Sequence, residues 1–393
     1  MAELIRIEPE AADDRFSRFD LIGWWDRKRL AEAKILLIGV GALGNEILKN
    51  LALLGVGGVF AADLDRIELS NLSRSVLFRE SDIGRGKAEV AAERARDIYP
   101  AMRVQPFQGN IVYDLGLGVF RWADVILGGL DNREARVSIN RSAARVGKIW
   151  IDGAIERLSG VARVFDPAVG PCYECTMGEN DWKMLEARRS CALLSRGEIE
   201  LGKVPTTPTT SSVIAGIQTQ EAVKLLHGLD LLSGRGFVFD GVHHQSYTVE
   251  YTRKDDCPSH DAFEPIDILD WSIAATKAGD LLERVRGDLG SDAVIETNQD
   301  LLDSLYCAAC DRRETSRESP GRVNESAARC PVCGGDRIPK FYHTISVNDR
   351  DLLDVTLGSL GVPAWEILTG RSRANQRYYE FRGDRTATLG SLA

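Results

Sequence analysis

Apolar positions along the first 260 residues fall into short unbroken runs that alternate with amphipathic stretches. Lys34–Val40 (Lys-Ile-Leu-Leu-Ile-Gly-Val) reads as a parallel strand buried on both faces. In Asn45–Leu54 the apolar residues Ile47, Leu48, Leu51 and Leu54 share one face of a helix. Val59–Asp63 is a second strand. The same reading predicts a helix over Gly86–Tyr99, stopped by Pro100, and a strand over Val104–Phe107. A buried strand over Ala123–Leu130 follows, then a helix over Glu134–Val146 and strands over Lys148–Asp152 and Val161–Phe165. The polar segment Pro205–Thr210 leads into a helix over Ser211–Leu226, and Phe237–Asp240 and Ser246–Tyr251 read as closing strands. Alternating strands and helices build a mostly parallel sheet covered by helices, so an α/β fold is expected.

The pattern changes after Asp255–Pro265, which reads as a hinge. Asp270–Arg286 predicts an amphipathic helix through Ala274, Ala275, Ala278, Leu281, Leu282 and Val285. Ala293–Glu296, Lys340–Val347 and Arg377–Arg382 read as strands and Asp349–Leu360 as a helix. A first domain over residues 1–260 and a small α/β module over 266–393 are expected, because one core rarely grows past about 250–300 residues and the chain has 393.

Composition excludes some classes. Apolar content of 44% and charged content of 27% describe a globular chain. The longest stretch without charged or strongly polar side chains, Leu51–Ala62, is shorter than the ~20 residues a bilayer requires. Residues 1–20 carry Glu3, Arg6, Glu8, Glu10, Asp13 and Asp14, with no signal-peptide core. A cytoplasmic protein without membrane contact is expected. The net charge of −9 argues against broad nucleic-acid binding.

The cysteines carry more. Six of the eight form three C-x-x-C pairs, which in a chain without an export signal suggest metal. Cys307/Cys310 and Cys330/Cys333 have the spacing of a zinc ribbon over 307–333, with Gly334-Gly335 allowing the turn beneath the metal. Cys172/Cys175 has a candidate partner in Cys257-Pro-Ser-His260, giving three thiolates and an imidazole for a second structural Zn²⁺. A redox C-x-x-C at 172–175 is the alternative, and it leaves Cys257 and His260 without a role. Cys191 remains. It follows Arg188 and Arg189, whose charge favours a thiolate, although a lone Cys is commonly a small buried apolar residue.

Between the first two strands lies Gly39-Val-Gly-Ala-Leu-Gly44, and Asp63 stands 19 residues after the last glycine. Strand, glycine-rich turn, helix and acid together form a nucleotide-binding βαβ unit. Gly39, Gly41 and Gly44 let backbone approach phosphates at a helix N-terminus, and Asp63 is placed for ribose hydroxyls. Asp131 ends a strand, where ligands of such sheets gather.

With Asp63-Leu-Asp65, Asn71-Leu-Ser-Arg74, Lys87 and Asp131 added, residues 15–260 resemble the ThiF/MoeB superfamily, which includes the ubiquitin-activating enzymes. The resemblance implies a Rossmann-like adenylation domain that binds ATP rather than NAD and adenylates the C-terminal glycine of a small β-grasp protein. It implies that Arg74 and Lys87 contact phosphates, Asp131 binds Mg²⁺, Asp63 holds the ribose, and Asp65 and Asn71 complete the pocket. Arg15-Phe-Ser-Arg18 resembles the family's N-terminal arginine motif, so Arg18, with Arg15 second, is expected to reach the partner's site in a homodimer. One departure is Ser75, where the family usually has Gln.

In the ubiquitin-activating branch, a Cys beyond the zinc C-x-x-C forms a thioester. The resemblance therefore gives Cys191, in the crossover segment 176–209, the role of acceptor for a ubiquitin-like protein that passes to a conjugating enzyme. Sulfur-carrier activators of thiamine or molybdopterin synthesis share the pattern and are the alternative. Ala-, Arg- and Gly-rich usage hints at a high-GC bacterium, where similar enzymes sit in conjugation operons tied to antiviral defence. Residues 266–393 do not resemble a rhodanese domain; by positional analogy they form a docking surface for the conjugating enzyme or the modifier.

Overall fold

The computed structural model of the protein describes residues 14–183, 205–317, 319, 320, 323, 325–373 and 375–393. After helix α1 (Arg27–Glu32) come β1 (Lys34–Ile38), α2 (Ala42–Leu54), β2 (Gly58–Asp63), α3 (Lys87–Ile98), β3 (Arg103–Gln108), α4 (Leu117–Trp122), β4 (Val125–Gly128) and α5 (Arg133–Arg145). Then follow β5 (Trp150–Glu156), β6 (Ser159–Phe165), α6 (Pro208–His227), β7 (Arg235–Asp240) and β8 (Gln245–Glu250). These strands form one eight-stranded sheet in the order β3-β2-β1-β4-β5-β6-β7-β8. It is parallel from β3 to β5 and antiparallel from β5 to β8.

Because strand side chains alternate between faces, β1 feeds two cores. Ile35 and Leu37 join α2, α3 and α6 on one face. Leu36 and Ile38 join α4 and α5 on the other. No helix among the described residues is long and apolar enough to cross a membrane.

Beyond β8 the chain forms β9 (Ile266–Leu269), α7 (Ala278–Leu289), β10 (Val294–Cys307), β11 (Arg312–Thr315), β12 (Arg337–Ile345), α8 (Arg350–Leu353), β13 (Ile367–Arg371), β14 (Gln376–Phe381) and α9 (Arg385–Leu389). Their sheet runs β11-β10-β13-β14-β9, with β12 also paired to β10. The helix expected over 270–286 begins only at Ala278, because the Asp384 carboxylate accepts from Ser272 Oγ (2.6 Å) and the Ile273 amide (2.8 Å) and holds that stretch as a loop. The helix expected over 349–360 is cut short where Lys277 bridges Thr356 and the Leu357 amide bonds to Thr276 O (2.9 Å). Both are tertiary overrides of a helical pattern.

The second sheet is packed into the core of the first. Trp365, Ile367, Tyr378, Leu389 and Leu392 share a cluster with Leu36, Phe60 and Phe120. Gly118 is needed there: a β-carbon would lie 2.4 Å from the Trp365 indole. Across the same junction Arg121 pairs with the buried Glu380 at 2.5 Å, and the Leu117 amide donates to Glu366 Oε1 at 3.1 Å.

Candidate functional site

β1 lies between β2 and β4, so the chain leaves it toward one neighbour and returns beside the other. At such a switch point a crevice opens beyond the carboxyl ends of the strands. The turn Gly39–Gly44 fills its floor. Gly39 has φ +85°, and a β-carbon on it would lie 2.7 Å from Gly129 O. A β-carbon on Gly44 would lie 2.0 Å from Gly39 O. Only glycine permits this approach of turn, helix and the β4 exit. Nothing lies within 4 Å of the same atom on Gly41, the N-cap of α2, so that face of the loop is open.

Asp63 ends β2, and its carboxylate accepts from the Val40 amide (2.6 Å) and the Asp65 amide (2.8 Å). It is buried, and burial pushes its carboxyl above the ordinary aspartate value while Lys87 opposes the shift. Each oxygen keeps a lone pair beyond its backbone bond, as a ribose-binding acid requires. Lys87 opens α3, buried along its stem, with Nζ 2.7 Å from Asp65 Oδ2. Arg74 donates to Ser70 O at 2.6 Å. Asn71 lies in that turn, where its side-chain oxygen accepts from the Glu68 amide (3.0 Å). Asp131 is exposed just beyond the Gly129–Leu130 segment that touches Gly39.

Arg15 and Arg18 lie elsewhere. Arg15 donates to Ile98 O (2.7 Å) at the far end of α3, and neighbouring Phe16 packs against Gly55 at the far end of α2. Arg18 is exposed in the same segment. The 13-residue α2 is ~20 Å long, so this segment lies a helix length from the glycine loop of its own chain. Cys191, with Arg188 and Arg189, falls outside the described residues.

Both expected ligand sets are gathered, each with its ligand atoms within 4.8 Å of one another. Cys172 Sγ lies 3.7 Å from Cys175 Sγ and 3.5 Å from Cys257 Sγ, and Cys175 Sγ lies 3.3 Å from His260 Nε2. Cys307–Cys333 and Cys310–Cys330 approach to 3.5 and 3.7 Å. Tetrahedral Zn–S bonds of ~2.3 Å place sulfurs about 3.8 Å apart, so both sets fit Zn²⁺. Burial pushes the Cys257 thiol up to about 12, and neighbouring thiols push Cys310 up to about 12. A bound dication reverses that cost by deprotonating its thiol ligands.

Several supporting residues were not singled out by the sequence. Asn45 Nδ2 donates to Val40 O (2.7 Å) and its Oδ1 accepts from the Leu77 amide (2.9 Å), tying the glycine loop to the chain after Arg74. An Asn immediately after the last glycine was the available signal. Glu174, between two zinc-site cysteines, accepts from Asn140 (3.0 Å), Arg141 (2.7 Å) and Ser259, clamping that knuckle to α5. Asp152 is fully buried between Arg136 (3.0 Å) and Arg163. No local pattern marks it.

A glycine loop at the switch point of a mostly parallel sheet, followed by a buried acid, defines a Rossmann-like α/β domain. More narrowly, the chain belongs to the ThiF family, whose model matches residues 14–259. It is 30% identical over 254 residues to the sulfur carrier protein adenylyltransferase of Thermus thermophilus, covering 62% of this chain and 89% of that one. It is 32% identical over 274 residues to the SAMP-activating enzyme E1 of Haloferax volcanii, covering 65% and 94%. With the NEDD8-activating enzyme E1 catalytic subunit of Schizosaccharomyces pombe it shares 41% over 155 residues, only 38% of this chain and 35% of that one. The fold is similar to that of E. coli MccB, solved with ATP, with a TM-score of 0.53 and 21% identity over 64% of this chain and 75% of that one.

Proposed function

We propose that the chain is an ATP-dependent activating enzyme for a ubiquitin-like β-grasp protein. The observation that carries this reading is Lys87, held at the mouth of the glycine-loop crevice by Asp65 (2.7 Å). A cation so placed has little to do for packing and much to do for phosphates. The relatives named as activating enzymes and adenylyltransferases support the same reading.

The terminal glycine carboxylate attacks the α-phosphorus of ATP, the bond to pyrophosphate breaks, and an acyl-adenylate forms. Lys87 and Arg74 offset negative charge as it builds on the phosphates. Asp63 would hold the ribose. Asp131 would hold Mg²⁺, which supplies Lewis-acid charge at the phosphates. Arg18 would act in the partner's site of a homodimer. The Cys191 thiolate then attacks the acyl carbon and AMP leaves, giving a thioester. A conjugating enzyme takes the modifier from there, with residues 266–393 as the docking surface. The two zinc sets are structural.

The alternative keeps the adenylation step and changes its destination to sulfur-carrier activation. The match to the Thermus protein, over 89% of that chain and 62% of this one, supports it. One experiment separates the two: pyrophosphate exchange beside a non-reducing gel, with MgATP and the β-grasp protein encoded nearby. Exchange plus a thiol-sensitive adduct, lost in Cys191→Ala, is expected. Exchange without an adduct turns the reading to sulfur transfer, and absent exchange with every candidate β-grasp protein defeats both. The proposed biological setting is bacterial antiviral conjugation. There Cys191→Ala should abolish phage protection, and undiminished protection would count against that setting.

A further inference from the structure

Away from the glycine-loop crevice, a cleft of about 340 Å³ opens where the end of α5 and the segment around Ser259 face the second sheet. That volume falls in the range of small-molecule sites, ~300–1,000 Å³. Three arginines, Arg141, Arg145 and Arg371, line it against two carboxylates, Asp261 and Glu296. Two of the arginines are spoken for: Arg141 holds Glu174 at 2.7 Å, and Arg371 holds Glu296 at 2.7 Å. Arg145 is different. Its guanidinium neither hydrogen-bonds nor ion-pairs with any described residue and lies 5.2 Å from the centre of the Phe263 ring. Phe263 in turn stacks on Tyr378 with centroids 4.1 Å apart and planes at 11°.

Glu366 and Glu174 act on this guanidinium only from beyond hydrogen-bond reach. A guanidinium kept largely from water without a directly bonded anion is costly, and a cation–π contact recovers only part of that cost. The fork has five donors, and it matches two oxygens of one carboxylate or phosphate. Arg145 is also fixed in place, because the Phe263 ring over which it lies is pinned by Tyr378 and by the Phe263 amide bond to Arg145 O (2.8 Å). From this geometry we infer that the cleft is a binding site for a small oxyanion, a phosphate or carboxylate group held by Arg145 between the two sheets. Arg371, on β13, faces the same space from the opposite wall, so a bound anion bridges the ThiF domain to the C-terminal sheet.

The test uses the full chain and two probes, inorganic phosphate and succinate, titrated calorimetrically at constant ionic strength. Saturable binding of one or both is expected, and the probe that binds identifies the source of the oxyanion. Lys87→Ala, which disables the nucleotide crevice, should leave that binding unchanged. Arg145→Gln should weaken it at least tenfold, and Arg145→Lys should restore only part of it. Should Arg145→Gln not fold, Arg371→Glu carries the test, since that side chain is 49% exposed. It too should weaken binding severalfold. Absence of saturable binding by either probe overturns the proposal. So does binding that disappears in Lys87→Ala and survives in Arg145→Gln, which assigns the anion to the nucleotide crevice.

Discussion

Lys87 Nζ lies 2.7 Å from Asp65 Oδ2, with the lysine side chain 11% exposed and the carboxylate 63% exposed. The Lys87 amide also donates to Asp65 O at 3.0 Å, so the acid holds both ends of the residue. The pair keeps the amine aimed at the crevice without sealing it, because the ammonium can exchange the wet Asp65 carboxylate for a phosphate. Removing one such charge-stabilising donor costs roughly 10²–10³ in rate. Lys87→Ala is therefore expected to lower pyrophosphate exchange about 100-fold or more, with the melting temperature little changed. Activity within twofold of wild type would remove Lys87 from the site.

Arg18 sits at the opposite end of α2 and α3 from the glycine loop. If it acts, it acts in another protomer. Arg18→Ala and Lys87→Ala should each be nearly inactive alone. Mixed and allowed to exchange subunits, they should regain exchange activity, because each mixed dimer then holds one intact site. A mixture as inactive as its components would place Arg18 outside the reaction.

The two ligand sets predict zinc near two per chain. Cys257→Ser and Cys307→Ser should each lower it to near one, by independent losses. A measured value of one, with Cys257 freely alkylated in the wild type, would remove the first site. Chelation should loosen β10–β12 before the eight-stranded sheet, since Cys307 ends β10 and structural zinc contributes directly to folding.

Glu366 is buried at the junction of the sheets, and burial pushes its carboxyl up to about 7 from an ordinary 4.5. The folded state therefore binds a proton that the unfolded state has already released between about pH 4.5 and 7. Stability is highest below that window and is lost as pH rises through it, by up to about 3 kcal/mol. Glu366→Gln keeps an acceptor for Leu117, Asn298 and Ile367. The variant should flatten the pH–stability curve over this window and be more stable than wild type at pH 8. Denaturant melts at several pH values check it, and an unchanged slope would show that Glu366 is not the titrating group.

The alternation of apolar runs with helical stretches was enough to place β1–β8 and most of the helices between them, the short α4 excepted; the buried strands β1, β2 and β4 were the clearest, because a strand buried on both faces can hardly be written another way. The glycine turn, Asp63 and the cysteine spacings were legible for a similar reason: backbone approach and metal ligation each admit few residue types. What the sequence alone left undecided were features set by distant partners. Asp384 decides where α7 begins, and Lys277 decides where the helix after Arg350 stops. Trp365 makes Gly118 indispensable from nearly 250 residues away. Asp152 meets Arg136, and Arg145 is left facing a cleft, only because separate elements converge. Local pattern fixes elements and short-range chemistry; burial, charge pairing and cavities belong to packing, which depends on residues remote in the chain.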